Sequence, residues 1–123
     1  MDNKQMGPRN MGFVLSEAQG SRSREQIIIA SGAGVLQPGT VLGKVTATGK
    51  YVASPDAGAD GSQTGIAVLA YRTDATAADA DAVAYVRDCE VKTAALAYEA
   101  TVNDTTKEAT KHAQLEAVGI IVR

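Results

Sequence analysis

The chain of 123 residues has no tryptophan, one cysteine, one histidine and one phenylalanine. A lone cysteine excludes an intrachain disulfide framework. A lone histidine, His112, has no Ser, Cys or Asp pattern near it to serve as base for a nucleophile, so it reads as an exposed, inert residue. Positive charge is not in excess: 12 Lys and Arg face 14 Asp and Glu, for a formal net charge of −2. That balance argues against broad nucleic-acid binding, which needs a concentrated basic face. No apolar run approaches the roughly 18–20 residues of a membrane-spanning helix. Asp2, Lys4 and Arg9 lie among polar residues with no apolar core of a signal peptide behind them, which predicts synthesis in a cytosol without export through a membrane.

Large side chains are scarce as well. The aromatics are one Phe and four Tyr, and Ala and Gly supply much of the hydrophobic fraction. Small side chains bury little area each, at roughly 25 cal/mol per Å² of apolar surface. A single small domain with so thin a core is expected to gain stability by symmetric association.

What is present is mostly β-strand signal. The stretch Thr64–Thr93 organises the chain. Its first run is apolar at both alternations, with Ile66, Val68 and Ala70 on one side and Ala67, Leu69 and Tyr71 on the other, as in a strand buried on both faces. Its second run, Ala82–Thr93, keeps Val83, Tyr85, Cys89 and Val91 on one face and turns Asp88, Glu90 and Lys92 to water. Between them Arg72–Asp81 reads as a loop, so the two runs form a long antiparallel pair.

Residues 1–24 read as an N-terminal arm and 25–123 as the β-rich domain. Gly7-Pro8, Gly12 and the Gly20–Arg24 run punctuate the arm around one apolar island, Met11 to Leu15. The island holds the only Phe, Phe13, and invites docking on a partner by strand addition or into a groove. Gln26–Ala30, with Ile27, Ile28 and Ile29 in succession, is the strongest local strand signal. Pro38-Gly39 suits the centre of a type II turn. Val41–Ala47 and Lys50–Ala53 predict a hairpin about Thr48-Gly49, and Ser54–Gln63 a loop. One helix starts at Thr105-Thr-Lys-Glu108, with capping-box spacing and Asp104 favouring its positive end. Ala109, Ala113 and Ala117 are expected to line its packed face. Gly119 stops it, and Ile120-Ile121-Val122 is a closing strand.

No catalytic, cofactor or metal constellation emerges. Gly39–Val45 fails the spacing of a phosphate loop and places Val45 where a Ser or Thr is required. Ser31–Gly34 opens no helix. The aspartates at 56, 60, 74, 79 and 81 do not follow calcium-loop order. Cys89 reads as an inward-facing small hydrophobe.

From Pro38 to Arg123 the order of features resembles the lambda-type bacteriophage head decoration proteins. The matching stretches are Gly49-Lys-Tyr-Val-Ala53, the Asp/Gly loop Asp56–Ser62 leading into Gly65–Ala70, the Asp104-Thr-Thr-Lys-Glu108 helix start, and Ala117–Arg123. The likeness covers about two-thirds of the chain. It implies a small, mainly β domain with one short helix and no enzymatic activity. It further implies a homotrimer that sits at local three-fold positions on the outside of an expanded capsid and binds the major capsid protein. Such a protein acts as a cement against the pressure of packaged DNA. The resemblance implies an N-terminal arm that orders on the shell; Met11, Phe13, Val14 and Leu15 of the arm, with Ile27, Ile28 and Ile29 at the start of the domain, are the candidate capsid-interface residues. A tail-tube or baseplate subunit, or a small cytosolic β-rich ligand-binding module, is the alternative; the latter needs convergent polar groups that the sequence does not offer.

Overall fold

A computed structural model describes residues 9–18 and 22–123. Among these residues, ten strands and one α-helix are arranged around a closed five-stranded barrel. The barrel is built from β2 (Arg24–Ile29), β4 (Val41–Lys44), β5 (Tyr51–Ala53), β6 (Ala67–Leu69) and β8 (Ala80–Tyr85), in the order β2-β5-β4-β6-β8. Beside it, β1 (Val14–Glu17), β9 (Cys89–Val91) and β10 (Ile120–Val122) form a three-stranded sheet with β9 in the centre. A small pair joins β3 (Gly34–Leu36) to β7 (Thr73–Ala75). The helix, α1, spans Thr105–Ala117 and packs on β10.

Alternation along the strands divides the apolar residues between two clusters. Ile27, Ile29, Leu42, Ala67, Leu69, Ala82 and Ala84 fill the barrel. Val41, Val68, Ala70 and Tyr85 face outward from the same wall. They are covered by Phe13, Val91, Leu115 and Ile120 from the second sheet and the helix. This explains why β6 is apolar at every position: each face of the barrel wall is a core. The expected hairpin is present, with β4 and β5 antiparallel and Gly49 at φ 72°, where a side chain would be strained.

Several expectations are corrected. The run Ala82–Thr93 is not one strand. It leaves the barrel at Tyr85 and joins the three-stranded sheet as β9 after Asp88, which sits at φ 50° in the left-handed region. β8 and β6 share only the registers Val68↔Tyr85 and Leu69↔Ala84, so the long pair is short. The Arg72–Asp81 loop contains β7 and the first residues of β8. Lastly, the packed face of α1 carries Lys111 and Leu115, and the alanine stripe at 109, 113 and 117 is exposed. Its N-cap is Asp104, whose carboxylate accepts from the Lys107 backbone N–H at 2.8 Å, one residue earlier than the Thr105 capping box.

Candidate functional site

The segment from Arg9 to Ala18 folds against its own domain. Met11 donates its N–H to the Ala70 carbonyl at 2.9 Å, and the Asn10 side chain accepts from Arg72 N–H at 3.1 Å. Phe13 is only 1% exposed and meets Tyr85 edge-on, the ring centroids 5.6 Å apart. Its carbonyl accepts from Lys92 N–H at 2.7 Å. β1 then runs antiparallel to β9, with a register irregularity between Val14 and Ser16. Phe13 and Tyr85 are the two largest side chains enclosed in this outer cluster.

The candidate interface residues therefore separate. Phe13, Ile27 and Ile29 are buried, the first in the outer cluster and the other two inside the barrel. Met11 and Val14 are half-buried beside Phe13, and the Tyr85 hydroxyl donates to Met11 Sδ at 3.3 Å. Leu15 and Ile28 remain open, 45% and 43% exposed, on two different sheets. Phe13 is thus not a free anchor in this conformation. Residues 1–8 and 19–21 of the expected arm lie outside the described residues.

One exposed row was not legible in the sequence. Ser16 on β1, Glu90 on β9 and Ile121 on β10 stand opposite one another across the three-stranded sheet. Glu90 accepts from Ser16 Oγ at 2.9 Å and from Arg123 Nε at 2.8 Å, which holds its carboxyl below the usual range. Leu15 flanks the row at one end, and Ile121 is 38% exposed at the other. The signal was hidden because β10 pairs parallel to β9 across a separation of some thirty residues, which no local pattern encodes.

Behind this sheet Arg24 grips Glu17 with two nitrogens, at 2.6 and 3.0 Å, and lies 5.3 Å from the centre of the Tyr85 ring. The same guanidinium keeps the Glu17 carboxyl below its ordinary value. Ser23 is buried and links Ala18 to Asp88: its hydroxyl accepts from Ala18 N–H and donates to the Asp88 carbonyl at 2.8 Å. Cys89 is buried and free, as expected, and burial pushes its thiol up to about 11.

On the helix side His112 is not exposed and unpartnered. It is half-buried, with Nε2 2.7 Å from the Tyr98 hydroxyl. Burial, helped by Glu108, raises the Tyr98 phenol to about 12. Lys111 is 1% exposed, and its ammonium donates to Ser54 Oγ, Pro55 O and Gln63 O. Burial lowers its pKa. Among the described residues no group of three or more His, Cys, Asp or Glu stands close enough to hold a metal ion, and no helix is long and apolar enough to cross a membrane.

The second sheet thus presents a row of polar and apolar side chains, Ser16, Glu90 and Ile121, with Glu90 paired to Arg123 and Glu17 to Arg24 beside it. No curated protein sequence matches the chain significantly. The family model for bacteriophage lambda head decoration protein D, however, matches residues 3–120 of the 123. With the mainly β fold, the paired charges and a match that spans both the barrel and the second sheet, the chain belongs to the bacteriophage lambda head decoration protein D family.

Proposed function

We propose that the protein decorates the outer surface of an expanded phage head as a homotrimer at local three-fold positions of the lattice. There it binds the major capsid protein and strengthens the shell against the pressure of packaged DNA. The observation that carries this reading is the family match over residues 3–120, which supports a role in phage capsid decoration. The scarcity of large apolar side chains supports association, since a small domain gains buried area by pairing with copies of itself. Of the candidate interface residues, Leu15 and Ile28 are the exposed large apolar ones and so the accessible anchors, with Met11 and Val14 contributing their open sides.

Titration of undecorated expanded and unexpanded shells, followed by pelleting and cryo-EM, tests the proposal. Saturable binding to expanded shells alone, in groups of three, is expected. Substituting Leu15→Asp or Ile28→Asp should lower occupancy while the circular dichroism spectrum is unchanged. Equal binding to both shell forms would sink the specificity for the expanded head. Sedimentation giving a folded monomer at tens of micromolar would sink the trimer.

A further inference from the structure

We propose that Ser54 Oγ, Pro55 O and Gln63 O form a binding cage for a primary ammonium ion, filled in the native chain by the side chain of Lys111. The three oxygens lie 2.8, 2.6 and 2.5 Å from Nζ. An ammonium carries three donors and no acceptor, so three oxygens satisfy it completely. No carboxylate hydrogen-bonds to it among the described residues; its direct partners are two carbonyls and a hydroxyl, with the Asp56 and Glu99 carboxylates near enough to favour its charge.

The cage is assembled by contacts that do not involve the lysine. Ser54 N–H donates to the Val41 carbonyl at 2.9 Å, and Ser54 Oγ donates to the Ser62 carbonyl at 2.8 Å, which turns its lone pairs toward Nζ. Asp60 accepts from both the N–H and the hydroxyl of Ser62. Gly43 lets the Ser62 carbonyl lie directly against β4, where an added Cβ would collide with that oxygen. The lysine stem passes Gly65, whose own N–H is held by Gln114 at 2.7 Å. Ser54 Oγ and the Ser62 backbone beside Gln63 are therefore positioned from the barrel side, and the helix supplies the cation. Occupied, the cage ties the two ends of the 54–63 connection to α1 and fixes that loop in one shape.

Truncating the lysine and returning the missing piece tests this. Lys111→Ala keeps Cβ, so the fragment removed corresponds to n-propylammonium. The variant should melt well below the native protein and recover in a saturable way with n-propylammonium chloride. Tetramethylammonium chloride, which has no N–H, and n-propanol, which has no charge, should give no such recovery. Equal responses to all three would overturn the proposal. If Lys111→Ala does not fold alone, its refolding in n-propylammonium is the same test, and failure there counts against the cage. Lys111→Met keeps an apolar stem without the donors. Hydrogen exchange of amides in the 54–63 loop should rise about tenfold or more in it, as expected for losing charged hydrogen bonds. Exchange in this variant at the native rate would show that the ammonium does not hold the loop.

Discussion

Phe13 lies wholly inside the outer cluster, against Tyr85 and among Val91, Leu115 and Ile120. Phe13→Ala is expected to cost about 3–5 kcal/mol, the usual range for a fully enclosed aromatic. Urea unfolding monitored by Tyr fluorescence would measure it, and a loss below about 1 kcal/mol would contradict that enclosure. Cys89 poses the opposite problem, a reactive atom made inert. With its thiol pushed up to about 11, the native protein should resist an aromatic disulfide reagent at pH 8 and react only on unfolding. The same elevation links stability to pH. A thiol whose folded value exceeds its ordinary 9.0 contributes stability that is complete below pH 9 and is lost as pH rises through about 11. Tyr98 acts in the same sense between its ordinary 10.0 and about 12, and burial raises Tyr51 and Tyr85 too. Lys111, held below its usual value, acts in the opposite sense, one group against four. Thermal midpoints should therefore fall steadily above about pH 9. A flat profile up to pH 11 would show that these groups titrate alike in both states.

Among the elements, those with a strong local pattern were legible. The isoleucine run became β2, the Thr48-Gly49 turn joined β4 to β5, and the two-faced apolar run became β6 because the barrel wall has a core on each side. The helix was also legible in extent, but its orientation was not. Alanines at helical spacing look like a packed stripe, yet the stripe faces water and a lysine faces inward, because the oxygens that receive Lys111 come from residues about fifty positions away. The break between β8 and β9 was missed for a related reason. The chain bends at Arg87 and Asp88, the Asp88 carbonyl taken by Ala18 N–H and Ser23 Oγ, and neither partner is near in sequence. The candidate interface was read from apolar residues in the N-terminal stretch, and such a reading cannot separate a residue that docks on another chain from one that docks on its own. Gly43 tests the element scale most directly. Gly43→Ala would force its Cβ into the Ser62 backbone, so a destabilisation of at least about 1–3 kcal/mol is expected, with the 54–63 loop displaced from β4. A variant as stable as the native chain would mean that the loop does not lie against the strand.

At the scale of the whole molecule, the question is where the folded domain begins. β1, Phe13 and Ser23 together tie the first described residues to β9, to the outer cluster and to the Asp88 kink. Deleting Met1–Pro8 leaves every one of these contacts in place, whereas deleting Met1–Ser23 removes an edge strand, a core aromatic and a buried hydroxyl. The shorter deletion should keep the urea midpoint of the full chain. The longer one should lose about 3–5 kcal/mol from Phe13 alone, a large part of the roughly 5–15 kcal/mol that a domain of this size has to lose. The distinction bears on any test of capsid docking. A 1–23 deletion that fails to decorate shells reports on folding, so occupancy must be compared between the full chain and the 1–8 deletion, both first shown by sedimentation to be in the same assembly state. Reduced occupancy of the 1–8 deletion at unchanged stability would place a docking contribution before Arg9. Unchanged occupancy would leave the contact to Leu15, Ile28 and the face that carries Glu90 and Ile121. A 1–23 deletion with the stability of the full chain would show that β1 is dispensable to the folded domain and free to pair elsewhere.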